Sequence, residues 1–174
     1  MPEPFRVRWL GTAGYHEVWD LQQALFEGSQ DHLLLCQHPP VYTLGIRGDE
    51  ANLLVDPASV GAEKYRVNRG GDVTFHGPGQ LVGYPVMTVP GRRGAGMADT
   101  AAYVRTVEQL LIDVVAELGL EAGRLPGSPG VWVEPDGPRA RKLAAIGVRL
   151  SRGRSMHGFA LNVSVDLGLS LIHI

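Results

Sequence analysis

Seventeen residues, Arg69 to Pro85, read RGGDVTFHGPGQLVGYP and hold five glycines and two prolines. Glycine in a helix interior costs roughly 1 kcal/mol relative to alanine and proline about 3 kcal/mol, so no helix crosses this stretch. The chain has to turn here, on backbone that lacks Cβ atoms and lets a ligand reach main-chain N–H groups. Arg69 sets a permanent cation at one end. Thr74 and His76 lie two apart and point to one face of an extended segment. Spacing excludes three familiar glycine loops. A phosphate-cradling loop needs Gly-Lys-Ser/Thr, which is absent. Gly77, Gly79 and Gly83 are spaced G-x-G-x-x-x-G and run into a strand, not into the helix of a dinucleotide fingerprint. There is no G-x-S-x-G nucleophile elbow. A tight hairpin carrying a surface histidine fits the same residues, and the pattern alone leaves that reading open.

The remaining 157 or so positions set the frame (about one domain's worth of chain in all). A length of 174 residues with 44% hydrophobic and 20% charged positions describes a globular domain, so residues 1–174 are expected to form one unit. A net charge of −2 excludes a polycation that coats nucleic acid. The single cysteine, Cys36, has no internal disulfide partner, which points to a reducing cytoplasm. No apolar run reaches the ~18 residues of a membrane span, and the start MPEPFRVRWLG lacks the core of a signal peptide. His16 opens HEVWD, but Asp20 stands where a zinc-protease motif has its second histidine, and the other histidines show no ligand spacing; no metal is expected.

Periodicity places the elements. Val18, Leu21 and Leu25 mark a helix that Gly28 ends. HLLLCQHPP reads as a buried strand stopped by prolines, the segment 46–62 as an exposed loop, and YRVNRGG as a strand entering the glycines. QLVGYPVMTV is a strand with Val82, Tyr84 and Val86 on one face, and PGRRGAG a surface loop. The strongest helix runs from Thr100 to Leu118, with Asp99 as N-cap, Gly119 as C′ stop, and Val104, Val107, Leu111, Val114 and Leu118 as its apolar stripe. GVWVE, RKLAAIGVRL and HGFALNVSV are strands, the last two joined through SRGRSM as a hairpin. Strands mixed with two helices imply an α/β (α+β) fold around a central sheet.

With these elements in place, RGGDVTFHGPGQLVGYP resembles the signature of the lipoate-pathway octanoyltransferases. Arg69, Gly70, Gly71, Thr74, Phe75, His76, Gly79, Gln80 and Tyr84 all fit it. QHPPVYTLG, PGVWV and RKLAAIGVRLSRGRSMHGFALNV are similar to further family blocks, so the resemblance spans Trp9 to Leu167. Related lipoate and biotin ligases follow their histidine with Asp-x-Gly-Asn, and Gly77-Pro78-Gly79-Gln80 favours the transferase.

The resemblance implies a biotin/lipoate protein ligase-like mixed sheet with flanking helices. It implies transfer of an octanoyl group from octanoyl-acyl carrier protein to a lysine of apo lipoyl domains, in 2-oxo-acid dehydrogenases and the glycine-cleavage carrier protein. The route passes through a cysteine thioester and uses no cofactor, nucleic acid or membrane. Carried onto this chain, Arg69, Gly70, Gly71, Asp72, Val73, Thr74, Phe75 and His76 line the acyl site, with Ala145, Ile146 and Gly147 as one wall and Gly158, Phe159 and Ala160 as another. Lys142 matches the family's lysine beside the nucleophile. An octanoyl chain suits such walls, since each buried CH₂ contributes ~0.8 kcal/mol, about 5 kcal/mol for the chain. The Lys142 ammonium would favour a thiolate, or neutral Lys142 would take a proton from the attacking amine; a solvated strand-edge charge is the plain alternative. Arg139, Arg141, Lys142, Arg149, Arg152 and Arg154 lie in a stretch free of Asp and Glu, which suits an acidic carrier protein or ordinary strand-edge charge.

One part of the family pattern has no match. After Asn162–Leu167 the family continues to Ile-x-Pro-Cys-Gly, whereas this chain reads GLSLIHI. The resemblance therefore implies a chain truncated at its C-terminus, with 168–174 as a foreign tail, a fold incomplete there, and no nucleophile and hence no transfer in this form. Cys36, in a buried strand, reads as a core residue. A non-catalytic acyl or carrier-protein binding fragment and an ATP-dependent ligase remain the other functions.

Overall fold

A computed structural model describes residues 5–91 and 98–169; the PGRRGAG loop falls largely outside them, as does the stretch from Ser170 on. The elements in chain order are β1 (Arg6–Thr12), α1 (Tyr15–Phe26), β2 (His32–Gln37), β3 (Val41–Leu44), β4 (Glu63–Arg66), β5 (Val73–His76), β6 (Gln80–Val86), α2 (Thr100–Glu117), β7 (Gly123–Leu125), β8 (Ser128–Val133), β9 (Arg141–Ser151) and β10 (Arg154–Asn162). A seven-stranded sheet runs β1-β2-β6-β10-β9-β8-β7 and a three-stranded sheet runs β4-β3-β5. Only β1–β2 and β3–β4 pair in parallel, so both sheets are mixed.

Side-chain alternation decides which helix covers which face of the large sheet. Leu34, Cys36, Val82, Tyr84 and Ala160 pack with Val18 of α1. Val131, Ala144, Val148, Phe159 and Leu161 pack with Val107, Leu111 and Val115 of α2, joined by Leu33, Leu35, Leu81 and Ile146. The two helices thus cover opposite faces. The small sheet encloses its own cluster of Tyr42, Leu44, Ala62, Val73 and Phe75. The segment between β3 and β4 contains two short 3₁₀ turns, each started by an aspartate, Asp49 and Asp56, whose carboxylate accepts a main-chain N–H.

Helix α2 has the expected ends. Asp99 accepts the Ala102 N–H at 3.0 Å, and Gly119 takes φ +81°. Its buried stripe differs from the expected one. Tyr103, Val107, Glu108, Leu111 and Val115 are buried, while Val114 and Leu118 are 42% and 81% exposed. The cause is Glu108, whose carboxylate accepts the Gly130 N–H and the Arg124 Nε–H, both at 2.9 Å. That pair of bonds turns the helix so that an i, i+4 row meets the sheet. The final hairpin is also tighter than expected. Ser151 pairs with Arg154, and Arg152 and Gly153 alone form the turn at φ +51° and +73°, the sign that a type I′ turn needs. Strand β10 therefore begins at Arg154 rather than His157.

At the centre of the large sheet two glycines let strands and rings cross. A Cβ on Gly83 would strike the Phe159 ring, and one on Gly158 would strike the Gly83 carbonyl oxygen and lie 2.6 Å from Pro85 Cδ. Backbone cannot yield as a flexible side chain can. Gly158→Ala is expected to destabilise the fold by roughly 1–3 kcal/mol or more, read as a lower urea midpoint; an unchanged midpoint would contradict this packing.

Candidate acyl site between the two sheets

A slot opens where the small sheet meets the α1-covered face of the large one. Arg69, Thr74 and His76 line it from the glycine-rich stretch, Val82 and Tyr84 from β6, Ala145 and Gly147 from β9, and His157 to Ala160 from β10; Tyr15 of α1 closes one side. The Gly70 N–H donates to the Val148 carbonyl at 2.9 Å. Strand β8 pairs with β9 no farther than Ala144, so that carbonyl is free for the loop. Gly147 has no Cβ, and one there would lie 3.0 Å from the Gly70 oxygen and 3.1 Å from Arg69 Cδ. The slot is narrow, with a volume of about 20 Å³, room for about one water.

Of the expected site residues, Arg69, Thr74, His76, Ala145, Gly147, Gly158, Phe159 and Ala160 come together here. The others stand elsewhere. Val73 and Phe75 alternate away from Thr74 and His76 into the small sheet's own core, and Ile146 packs on the α2 side. Gly70 and Gly71 serve as backbone, Gly71 at φ +93°. Asp72 accepts the Asp49 N–H at 3.1 Å and the Asn52 side-chain N–H at 2.6 Å, pinning the first 3₁₀ turn. Tyr15, Val82, Tyr84 and His157 line the slot without having been expected there; the buried parity of β6 was the one available signal for Val82 and Tyr84.

The Arg69 guanidinium is buried, and its hydrogen bonds go to neutral groups. It donates to the Thr43 carbonyl at 2.6 Å, to Thr43 Oγ1 at 2.8 and 3.3 Å, and to the Gly70 carbonyl at 3.0 Å. Burial lowers its pKa below the ordinary value. Thr43 Oγ1 in turn stands 3.4 Å from His76 Nε2. His76 Nδ1–H donates to Gln80 Oε1 at 2.7 Å, Gln80 Nε2–H donates to Asn162 Oδ1 at 2.9 Å, and Asn162 Nδ2–H donates to the Lys142 carbonyl at 3.3 Å. One chain of hydrogen bonds thus joins the slot to the strand that carries Lys142. Beside His76, His38 donates Nδ1–H to the Ala13 carbonyl and accepts the Tyr84 hydroxyl, each at 2.8 Å.

Lys142 itself lines a second, open cleft of about 240 Å³ with Leu120, Val133, Leu143, Val163, Val165 and Leu167. Its Nζ lies 4.8 Å from the Trp132 ring centroid, and burial lowers its pKa. Cys36 is fully buried, and burial pushes its thiol up to about 12. The basic residues divide. Arg154 is an internal clamp that donates to the Leu25, Ser29 and Gln30 carbonyls and to Asp31. Arg152 pairs with Glu27 and Arg141 with Glu134, while Arg149 stacks over the Phe26 ring. No described helix is long and apolar enough to cross a membrane.

His76 and His157 are both held neutral. Burial, first, and then the nearby His38 push His76 down to about 3; burial and then the Arg69 and Arg149 charges push His157 down to about 3. The unfolded chain binds these protons from about pH 6.5 downward, so their contribution to stability is complete above that pH and is lost as pH falls toward 3. The slope is up to about 1.4 kcal/mol per pH unit for each histidine. The urea midpoint is expected to drop between pH 7 and pH 5, and His76→Asn to reduce that drop; a flat midpoint would mean that the histidines are already protonated or solvated.

Residues 14–172 match the Lipoyl protein ligase A/B catalytic domain. The octanoyltransferase of Flavobacterium johnsoniae is 42% identical, over 97% of this chain and 79% of that protein. The octanoyltransferase of Mycobacterium leprae is 48% identical, over 96% and 71%. The bipartite lipoate protein ligase of Thermoplasma acidophilum superimposes with a TM-score of 0.74 at 19% identity, over 93% of this chain and 62% of that one, a likeness of fold alone. The mixed sheet with flanking helices expected from the sequence is the architecture of that ligase. With the family model matching most of this chain and relatives this similar, the chain belongs to the lipoyl protein ligase A/B catalytic domain family.

Proposed function

We propose that this chain is an octanoyltransferase of protein lipoylation, binding the octanoyl thioester of acyl carrier protein and delivering the acyl group to a lysine of an apo lipoyl domain. The observation that carries the reading is the slot itself: strands without Cβ atoms at Gly147 and Gly158, apolar side chains at Val82, Ala145 and Ala160, and one buried cation, Arg69, whose hydrogen bonds are all to neutral groups. Apolar walls hold the acyl tail. A desolvated guanidinium stabilises the negative charge that develops on a thioester carbonyl when it is attacked. Both sheets contribute walls to the slot.

The other residues take roles consistent with their surroundings. Lys142, with its pKa lowered by burial, is neutral more often than an ordinary lysine and so available to take a proton from the attacking amine. Asn162 and Gln80 fix its strand relative to His76. Cys36 does not carry the acyl group, because a thiol pushed up to about 12 forms almost no thiolate at neutral pH; passage through a cysteine requires a thiolate other than this one. Entry of an octanoyl chain widens the slot.

The test plugs the slot. Ala145→Leu is expected to weaken binding of octanoyl-acyl carrier protein at least tenfold while leaving the weaker binding of unacylated carrier protein unchanged, measured by fluorescence anisotropy without ATP. Equal binding of the acylated form by both proteins would remove the acyl tail from this slot. A requirement for ATP and free octanoate would place the chain with the ligases.

A further inference from the structure

One buried group in the slot is unused by the reading above. His157 is 1% exposed and lines the slot. Its Nε2–H donates to Asn68 Oδ1 at 2.8 Å, which leaves the lone pair on Nδ1. Nδ1 has no partner. Trp19 Nε1, Gln22 Nε2, His32 Nδ1 and Arg154 Nε are the other such buried atoms among the described residues, and none of those four residues lines the slot. Three of the slot's other polar side chains are engaged: Arg69 with Thr43 and Gly70, His76 with Gln80, Tyr84 with His38.

The backbone holds the imidazole in place at a cost. Phe159 and Leu161 face α2, so regular alternation along β10 sends residue 157 to that side as well. Instead His157 takes φ +57°, a conformation that costs a residue other than glycine roughly 1–3 kcal/mol. Gln22 Oε1 accepts the His157 N–H at 2.9 Å and secures the distortion. The result is a buried ring nitrogen without a partner on a residue that lines the slot.

Resting on the acyl-slot reading, we infer that Nδ1 of His157 accepts the N–H of the acyl-accepting primary amine and aims its nitrogen lone pair at the acyl carbonyl. The acyl tail and the thioester carry no N–H group, so near the carbonyl the amine and the secondary amide it becomes are the natural donors. In the transfer the C–N bond forms, the C–S bond breaks, and the amine's proton ends on the departing thiolate as a thiol; His157 orients and stays neutral. Burial and the nearby Arg69 and Arg149 charges keep it so. A second N–H source is the amide of a pantetheine arm, two carbons beyond the thioester sulfur, and the experiment separates the two.

The experiment measures binding to the full chain by calorimetry, so it needs no turnover. Four ligands serve: N-propyl octanamide, N-methyl-N-propyl octanamide, S-propyl thiooctanoate and the octanoyl thioester of N-acetylcysteamine. The secondary amide is expected to bind about tenfold more tightly than the N-methyl amide and the S-propyl thioester, and to shift the ¹⁵N resonance of His157 Nδ1. His157→Gly is expected to bind all three alike, since glycine removes the acceptor and tolerates the positive φ. Equal binding of the amides by the wild-type chain, or a preference that survives in His157→Gly, would overturn the inference. So would a preference for the cysteamine thioester over the S-propyl thioester, which would assign the N–H to the thioester arm. If none of the four binds the wild-type chain, the acyl-slot reading itself fails; binding without discrimination removes only the role of His157.

Discussion

The contact on which the site depends is the reach of Arg69 into Thr43. A guanidinium taken from water loses its hydration, and here three of its hydrogen bonds go to one residue of β3. They fasten the glycine-rich loop to the small sheet. The next residue, Gly70, fastens the same loop to the free edge of β9 through the Val148 carbonyl. Two consecutive residues therefore couple both sheets, and the slot is the gap that this coupling leaves. Without Arg69 the small sheet would keep its own core of Tyr42, Leu44, Val73 and Phe75, but little would fix its distance from β9 and β10.

A second constraint is the neutrality of the polar groups around that cation. His38, His76 and His157 all have pKa values lowered mainly by burial. Tyr15 and Tyr84 are pushed the other way, so their phenols stay protonated. One fixed positive charge thus sits among neutral dipoles in a low-dielectric setting, where a hydrogen bond gains strength and an unsatisfied one is costly. Tyr15 stacks against His76 and Tyr65, so water reaches this group from few directions.

The fold and much of the lining of the candidate slot were legible in the sequence where a residue's conformation was set locally. Asp99 and Gly119 marked the ends of α2, and the spacing of Thr74 and His76 placed both in the slot. The rest depended on partners far away in the chain. The burial of Glu108, which rotates α2, required Arg124 and Gly130. Strand β5 was hidden inside the glycine stretch because its pairing partner, β3, is supplied from thirty residues upstream. Val73, Phe75 and Ile146 shared a motif with slot residues but not their strand face. His157 was invisible for the converse reason: its backbone breaks the alternation by which faces are assigned. The basic stretch misled in part, since Arg154 is spent internally on the α1–β2 connection.

The floor of the slot has a further consequence for how its dimensions can change over generations. At Gly147 and Gly158 there is no side chain left to remove, and main-chain atoms already press against both positions. Any replacement there shortens the space. A lineage drifting toward bulkier cargo would have to find room at Val82 or Tyr84 instead, which also pack beneath α1, Tyr84 with a hydrogen bond to His38 as well. Such drift is therefore easy in one direction and obstructed in the other.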